Sequence, residues 1–495
     1  MKMPTPDESA ISRRTEIAAG LREIVGEAYV MADDASLKTY ENDALSAYRQ
    51  TPMLVALPGD TAEVSCLLAY CAQHDVKVVP RGAGTGLSGG ALPLADAVTI
   101  GLGRFNRILE IDYANRSAVV QPGVANLAIS NAMNAAGFYY APDPSSQIAC
   151  SIGGNVAENS GGVHCLKYGL TTNNLLGVEM VLMGGEVIRI GGKQFDSDGY
   201  DLLGVITGSE GMLGIITEVT VRILPKPPVA QALLMAFASN DSAGQCVAGI
   251  IAAGIIPAGL ELMDGPAIKA AEDFCHAGYP LEAAAILICE LDGSEVEVTE
   301  LVRRVGDIAT ACEATSLRVS DSEAERQRFW LGRKSAFPAA GRIAPDYYVM
   351  DGTIPRRCLS QVLNRIAELS AEYGLQVANV FHAGDGNLHP LILYDSNVPG
   401  ELERTEEMGG KILKLCVEVG GVLTGEHGVG VEKRDLMGEM FTEIDLKQQQ
   451  RVKCAFDAEH LLNPGKVFPT LHRCAELGRM HVHGGQTPFS DLPRF

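Results

Sequence analysis

Val76-Lys-Val-Val-Pro-Arg-Gly-Ala-Gly-Thr-Gly-Leu-Ser-Gly-Gly90 carries a β-branched run directly into a glycine-rich loop. Without Cβ atoms, Gly82, Gly84, Gly86, Gly89 and Gly90 can turn successive N–H groups toward an anion, which makes the loop a phosphate cradle. Gly84-x-Gly86-x-x-Gly89 matches the dinucleotide fingerprint, and Glu110 falls near the distance expected of a ribose ligand. That match is accidental by context. A Rossmann loop opens a helix, whereas here Pro93 and the strand-like Ala97-Val-Thr-Ile-Gly101 follow at once. The phosphates are therefore expected in a loop between strands, and a surface turn that binds nothing is the plain alternative.

Further glycine signals follow at Pro142-Asp-Pro-Ser-Ser146, Ser151-Ile-Gly-Gly-Asn155, Asn159-Ser-Gly-Gly162 and Gly208-Ser-Glu-Gly-Met-Leu-Gly214, the last running into Ile215-Ile216-Thr217. Any one alone is an ordinary turn; together they suit an extended dinucleotide lying across one domain.

The second chemical signal is His382-Ala-Gly-Asp-Gly-Asn-Leu-His389, followed by Gly425-Glu-His-Gly428. Asp385-Gly386 is a turn signal between the two histidines, so a reversal there brings both imidazoles together. With Glu426 they offer two imidazoles and one carboxylate to a divalent ion and leave a coordination position open. His427 is then a candidate base, on a turn that Gly425 and Gly428 permit. Hydrogen-bonded core histidines are the competing reading. Asn387 is read as shaping the turn, and Trp330, the single tryptophan, as core.

At 495 residues with 46% apolar content, the chain is expected to form two or three domains. Forty Lys and Arg against 61 Asp and Glu give a formal charge of −21, which disfavours nucleic acid and anionic membrane as partners. The longest apolar stretch, Val247 to Leu260, is too short to span a bilayer and contains Pro257. Met1 to Arg14 lacks an apolar leader core, so a cytoplasmic location is expected. The 12 cysteines contain no C-x-x-C pair, which argues against an iron–sulfur or structural zinc set.

The organisation reads as α+β. Residues 1–44 form an N-terminal helical segment, 45–228 a cofactor domain ending at Pro225-Lys-Pro-Pro228, 229–443 a smaller domain of antiparallel sheet and helices, and 444–495 a helical segment returning to the cofactor domain.

Pro80-Arg-Gly-Ala-Gly-Thr-Gly, Ser151-Ile-Gly-Gly, Gly208-Ser-Glu-Gly-Met-Leu-Gly-Ile-Ile-Thr217, the two histidine motifs and Leu462-Asn-Pro-Gly-Lys466 together resemble the FAD-linked oxidases of the vanillyl-alcohol oxidase superfamily. Within it the chain most resembles the flavin subunits of bacterial glycolate oxidases, relatives of D-lactate and D-2-hydroxyglutarate dehydrogenases; the Arg473 to His483 tail contributes to that likeness. The resemblance implies a PCMH-type FAD-binding domain beside a substrate domain. It assigns FAD to Pro80, Arg81, Gly82, Ala83, Gly84, Thr85, Gly86, Ser88, Gly89, Pro142, Ser146, Gly153, Gly154, Asn155, Ala157, Ser160, Gly161, Gly211, Gly214, Ile216 and Asn463. Thr85 stands where flavinylated relatives carry the linking histidine, so the FAD is expected to be non-covalent. A divalent metal, zinc first with manganese or iron as alternatives, falls to His382, His389 and Glu426. His427 is the implied base, and Arg333 the implied clamp on the substrate carboxylate, with a solvated helix arginine as the alternative. The implied reaction is oxidation of a short 2-hydroxy acid, glycolate foremost and D-lactate second, with hydride passing to the flavin. Electrons would leave to a second flavin-type subunit and an iron–sulfur subunit. Relatives acting on dicarboxylates carry a lysine in the segment matching Tyr348-Val-Met-Asp351; Val349 at its place implies small monocarboxylates.

Overall fold

A computed structural model describes residues 3–194 and 199–469. The likeness carried by Arg473 to His483 lies outside the described residues.

The cofactor half is built on two sheets. Strands Leu54–Ala56, Ala97–Gly101 and Lys77–Arg81 run parallel, with the short Val30–Met31 antiparallel at one edge. The helix Thr61–Gln73 leads into this sheet: Asp60 accepts a hydrogen bond from the Glu63 amide at its start, and Val64, Leu67, Leu68 and Cys71 form its buried stripe. The glycine loop joins the parallel strands Lys77–Arg81 and Ala97–Gly101, so the phosphate cradle does lie between strands. The second sheet is five-stranded and antiparallel, in the order Ile108–Asp112, Ser117–Val120, Ile215–Arg222, Leu175–Val181, Val187–Gly191.

The other half is a seven-stranded antiparallel sheet ordered Ser316–Val319, Val229–Phe237, Ala285–Gly293, Gly259–Asp264, Val377–Phe381, Pro390–Tyr394, Asp346–Val349. Its inner strands read as near-continuous apolar runs because both faces are covered, whereas the edge strand Ser316–Val319 is largely exposed. The helix Leu359–Tyr373, for example, buries Leu359, Val362, Leu363, Ile366 and Leu369 at helical spacing.

After the helix Glu443–Phe456 the chain crosses back. Val78 donates its amide to the Leu461 carbonyl at 2.8 Å, and Asn463 donates to the Val78 carbonyl at 2.7 Å, which lays this segment along the strand that feeds the glycine loop.

Candidate active site

A cavity of about 450 Å³ runs between the two halves. Pro80, Arg81, Gly82, Ala83, Gly84, Thr85 and Gly86 form one wall; Ser146, Gly153, Gly154, Asn155, Ala157 and Ser160 continue it, together with Gly211, Gly214 and Ile216. Gly84 holds φ +71°, and a Cβ there would stand 2.3 Å from the Arg81 guanidinium, so the loop's close turn requires glycine.

Five residues assigned to the cofactor do not line this cavity; they brace the parts that do. Ser88 donates its hydroxyl to the His427 carbonyl at 2.8 Å and accepts the Val431 and Glu432 amides on its own carbonyl. Gly89 lies against Val431, and Gly161 leaves room for the Glu426 carboxylate. The Pro142 carbonyl accepts from the Asn126 side chain at 3.0 Å, and Asn463 donates to the carbonyls of Gly90 and Glu210 at 3.0 and 2.7 Å. Motif membership marks a residue as near the ligand; which way it faces is set by contacts with chain far away in sequence.

The same cavity is also lined by His389, Glu426, His427, Lys334 and Phe337. The His382–His389 reversal is wider than a two-residue turn. It runs through Ala383 to Gly386 and is closed by the His382 amide on the Asn387 carbonyl at 3.0 Å. Asp385 accepts the Asn387 amide, and Gly386 adopts φ +87° with the Ile354 carbonyl where a Cβ would go. Asn387 thus shapes the turn. The two imidazoles come to rest with ring centroids 5.0 Å apart, and His389 stacks on His427 at 4.8 Å.

Three imidazole nitrogens converge on a single oxygen. Nε2 of His389, His382 and His427 lies 3.3, 3.4 and 3.7 Å from Glu426 Oε1. These gaps exceed good hydrogen bonds and match the roughly 3.4 Å that separates two ligand atoms held at about 2.1 Å from one tetrahedral ion. Both nitrogens of His389 are buried without a hydrogen-bond partner. His382 is oriented from behind by Glu261, whose Oε1 lies 2.8 Å from its Nδ1, the outer-shell arrangement that fixes a metal-binding tautomer. His382 itself is buried behind the cavity wall.

The turn carrying Glu426 and His427 is anchored by a residue that the motif reading passed over. Asp351, fully buried, accepts the Gly425, Glu426 and His427 amides at 3.1, 3.2 and 3.0 Å, the Thr424 hydroxyl at 2.6 Å and the Lys433 ammonium at 3.0 Å. Burial alone would raise its pKa, but Lys433 and the neighbouring imidazoles outweigh that and hold it well below the usual carboxylate range. Burial pushes His427 the other way, down to about 4, so the ring is a neutral imidazole near neutral pH.

The chain matches the FAD binding domain family over residues 52–191 and the C-terminal domain of FAD linked oxidases over residues 226–467. It is 60% identical to the glycolate oxidase subunit GlcD of Escherichia coli (strain K12), covering 97% of each chain. The chain belongs to the FAD-linked oxidases. Another relative, a D-lactate dehydrogenase of Archaeoglobus fulgidus, is 32% identical over 86% of this chain and 96% of that one. In fold, this FAD-linked oxidase is similar to p-cresol methylhydroxylase with substrate bound, at a TM-score of 0.79 and 17% identity over 93% of this chain and 97% of that one. FAD is the cofactor of the family, and a glycine-walled cavity that also carries two histidines and a carboxylate, His389, His427 and Glu426, fits it.

Two assignments need correction against the structure of the oxidase. Arg333 is neither a solvated helix arginine nor a wall of the cavity. It is 1% exposed, donates Nε to Glu261 Oε2 at 2.8 Å and sets Nη2 2.7 Å from the same oxygen as an ion pair, because Glu261, on a strand distant in sequence, needs a counter-charge once buried; Nη1 and Nη2 themselves make no hydrogen bond among the described residues. Val349 also stays off the cavity, packed with Leu391, Ala336 and Ala340 in the core of the seven-stranded sheet. The wall on this side is Phe337, whose ring meets His389 edge-on at 6.2 Å. Trp330 is core as expected, its indole N–H on the buried Glu290 carboxylate. Glu158 and Glu210 line the cavity unannounced by any spacing rule; Glu210 takes the Val429 and Gly430 amides at 2.7 Å each. The Gly208–Gly214 motif did contain that second glutamate, and its burial is the signal that a sequence lacks.

Among the described residues, no helix is long and apolar enough to cross a membrane.

Proposed function

We propose that this FAD-linked oxidase oxidises a short 2-hydroxy acid, most readily glycolate, with His427 as the base and His382, His389 and Glu426 as ligands of one divalent ion. The observation that carries the reading is the convergence of three imidazole Nε2 atoms on Glu426 Oε1 in the wall of the flavin cavity, in a chain 60% identical to a glycolate oxidase subunit. When bound, FAD supplies the hydride acceptor and the ion a Lewis acid for the substrate hydroxyl.

The chain's own residues supply the rest. His427 is kept neutral by burial and is positioned by Asp351 through its backbone amide, so its ring can take the hydroxyl proton. Glu261 holds Nδ1 of His382 and thereby presents Nε2 toward Glu426. Burial disfavours a charge on His382, but Glu261 and Glu426 outweigh it and raise its pKa; ligation therefore has to displace a proton, and ion affinity should rise with pH. Phe337 and the apolar part of the wall exclude water beside His389. Zinc suits two imidazoles and a carboxylate, and manganese or iron the same set. The relative's designation as a subunit supports a complex in which reducing equivalents leave for a second flavin-type subunit and an iron–sulfur subunit.

The test is an anaerobic scan of the purified oxidase with glycolate, D-lactate and D-2-hydroxyglutarate, following loss of flavin absorbance, beside metal analysis before and after chelation. Bleaching fastest with glycolate, lost on chelation with the flavin spectrum retained, is expected. Absence of bleaching by any of the three acids overturns the reaction class. Full activity in protein without a stoichiometric ion overturns the metal assignment and leaves the histidines as polar catalytic groups.

A further inference from the structure

The helix Ile152–Glu158 follows the wall of the flavin cavity, with Ser151 before it and Glu158 at its far end, and these two side chains offer opposite chemistry. Ser151 Oγ is buried without a hydrogen-bond partner among the described residues and lies 2.4 Å from where a Cβ on Gly82 would stand, so a hydroxyl donor meets the glycine loop. Glu158 is an acid, which a phosphate repels. Its Oε2 is also buried without a partner, and its Oε1 lies under the loop, 2.8 Å from where a Cβ on Gly90 would stand. Oε2 reaches the turn that carries Glu426 and His427: a Cβ on Gly428 would come within 2.2 Å of it and within 2.9 Å of Glu210 Oε1. Two carboxyl groups therefore crowd one spot, and they are not equally supplied with donors. Glu210 takes the Val429 and Gly430 amides at 2.7 Å each, whereas no donor reaches Glu158 Oε2. Two like charges this close are not both kept, and the proton stays on the group without amides. Burial raises the pKa of both; the two amides offset part of that at Glu210, while at Glu158 the charges of Glu210 and Asp43 add to it and outweigh Lys433 and Lys466, so its carboxyl stands well above the usual carboxylate range.

We propose that Glu158 donates a hydrogen bond from its carboxyl to the isoalloxazine ring of bound FAD and thereby raises the reduction potential of the ring. The inference rests on the reading above, in which the ring lies beside His427. In that reaction two electrons arrive with the Cα hydrogen while the hydroxyl proton goes to His427, so negative charge is left on the ring. A neutral carboxyl stabilises that charge by donating to it. A carboxylate at the same place would oppose it and make the flavin a weaker acceptor.

The test measures the two-electron potential of FAD-loaded wild-type, Glu158→Gln and Glu158→Ala, reduced anaerobically with dithionite in equilibrium with a reference dye, from neutral to alkaline pH. Glu158→Gln keeps an uncharged donor and should match wild-type near neutral pH. Glu158→Ala should shift the equilibrium toward oxidised flavin by roughly tenfold, about 30 mV for a two-electron couple. As pH rises and Glu158 ionises, the wild-type potential should fall below that of Glu158→Gln, which a role in packing alone would not produce. Glu158→Ala at the wild-type potential, or wild-type and Glu158→Gln running parallel at every pH, overturns the proposal. A Glu158→Gln potential well above wild-type near neutral pH shows a carboxylate at this place and overturns it too. If Glu158→Ala does not retain FAD, the comparison with Glu158→Gln decides alone. The measurement uses no hydroxy acid, so failure of the oxidation reading, seen as wild-type flavin left unbleached by every hydroxy acid, is distinguishable from failure at Glu158.

Discussion

Replacing Asp351 with Asn removes one charge from the centre of the turn that carries Glu426 and His427. Asp351 and Lys433 are both 0% exposed, and the ammonium keeps only the Thr424 hydroxyl at 3.2 Å, the Gly428 carbonyl at 3.0 Å and the more distant Glu432 carboxyl at 3.7 Å once the carboxylate is gone. Glu432 is a poor substitute, since burial pushes its carboxyl up to about 8. Breaking one side of a buried pair typically costs about 3–5 kcal/mol. The amide also brings an NH2 group to a place where three backbone N–H groups, a hydroxyl and an ammonium all donate, so at least one donor is left without an acceptor. Guanidinium unfolding followed by Trp330, the single tryptophan and a core residue of the same half, should show a loss of that size. Turnover should fall with it, because Glu426 and His427 ride on the amides that Asp351 holds. The double variant Asp351→Asn/Lys433→Met removes the orphaned charge and should regain stability without regaining turnover. A single variant within about 1 kcal/mol of wild-type would refute the reasoning on the pair; a double variant with wild-type turnover would refute the anchoring role.

The FAD should be non-covalent, since Thr85 on the cavity wall has no imidazole to offer: acid precipitation should release all yellow colour, and colour kept in the pellet contradicts this. His427→Asn should lower turnover by about two to four orders of magnitude with the Trp330 unfolding midpoint little changed, the usual loss for a positioned proton acceptor; near wild-type rates would move the base elsewhere. His164 ties the cofactor half to the seven-stranded sheet, its ring between Asp143 at 2.8 Å and Glu290 at 3.2 Å. Burial lowers its pKa, but the two carboxylates prevail and raise it from 6.5 to about 10. A raised folded pKa gives stability that is complete below pH 6.5 and lost as pH climbs through about 10, so the gap in melting temperature between wild-type and His164→Gln should shrink across that window. A constant gap would show that the charge is not what His164 contributes.

The sequence by itself determined the elements and the cofactor. A β-branched run ending in glycines, with a strand and no helix after it, placed the phosphate cradle between strands, and alternating apolar runs and helical stripes marked the sheets and their covering helices. These are local properties, fixed by residues within a turn or two of one another. The clustering of His382, His389 and Glu426 was also legible, because a glycine reversal joins the two histidines. What each charged residue does was not. Arg333 reads like a free clamp until antiparallel pairing of Gly259–Asp264 with Val377–Phe381 sets Glu261 between it and His382. Asp351 reads as the end of a strand until Gly425 to His427 fold over it. A buried charge takes its role from its partner, and partners are assigned by sheet register and packing across more than seventy residues of chain, which only the tertiary structure decides.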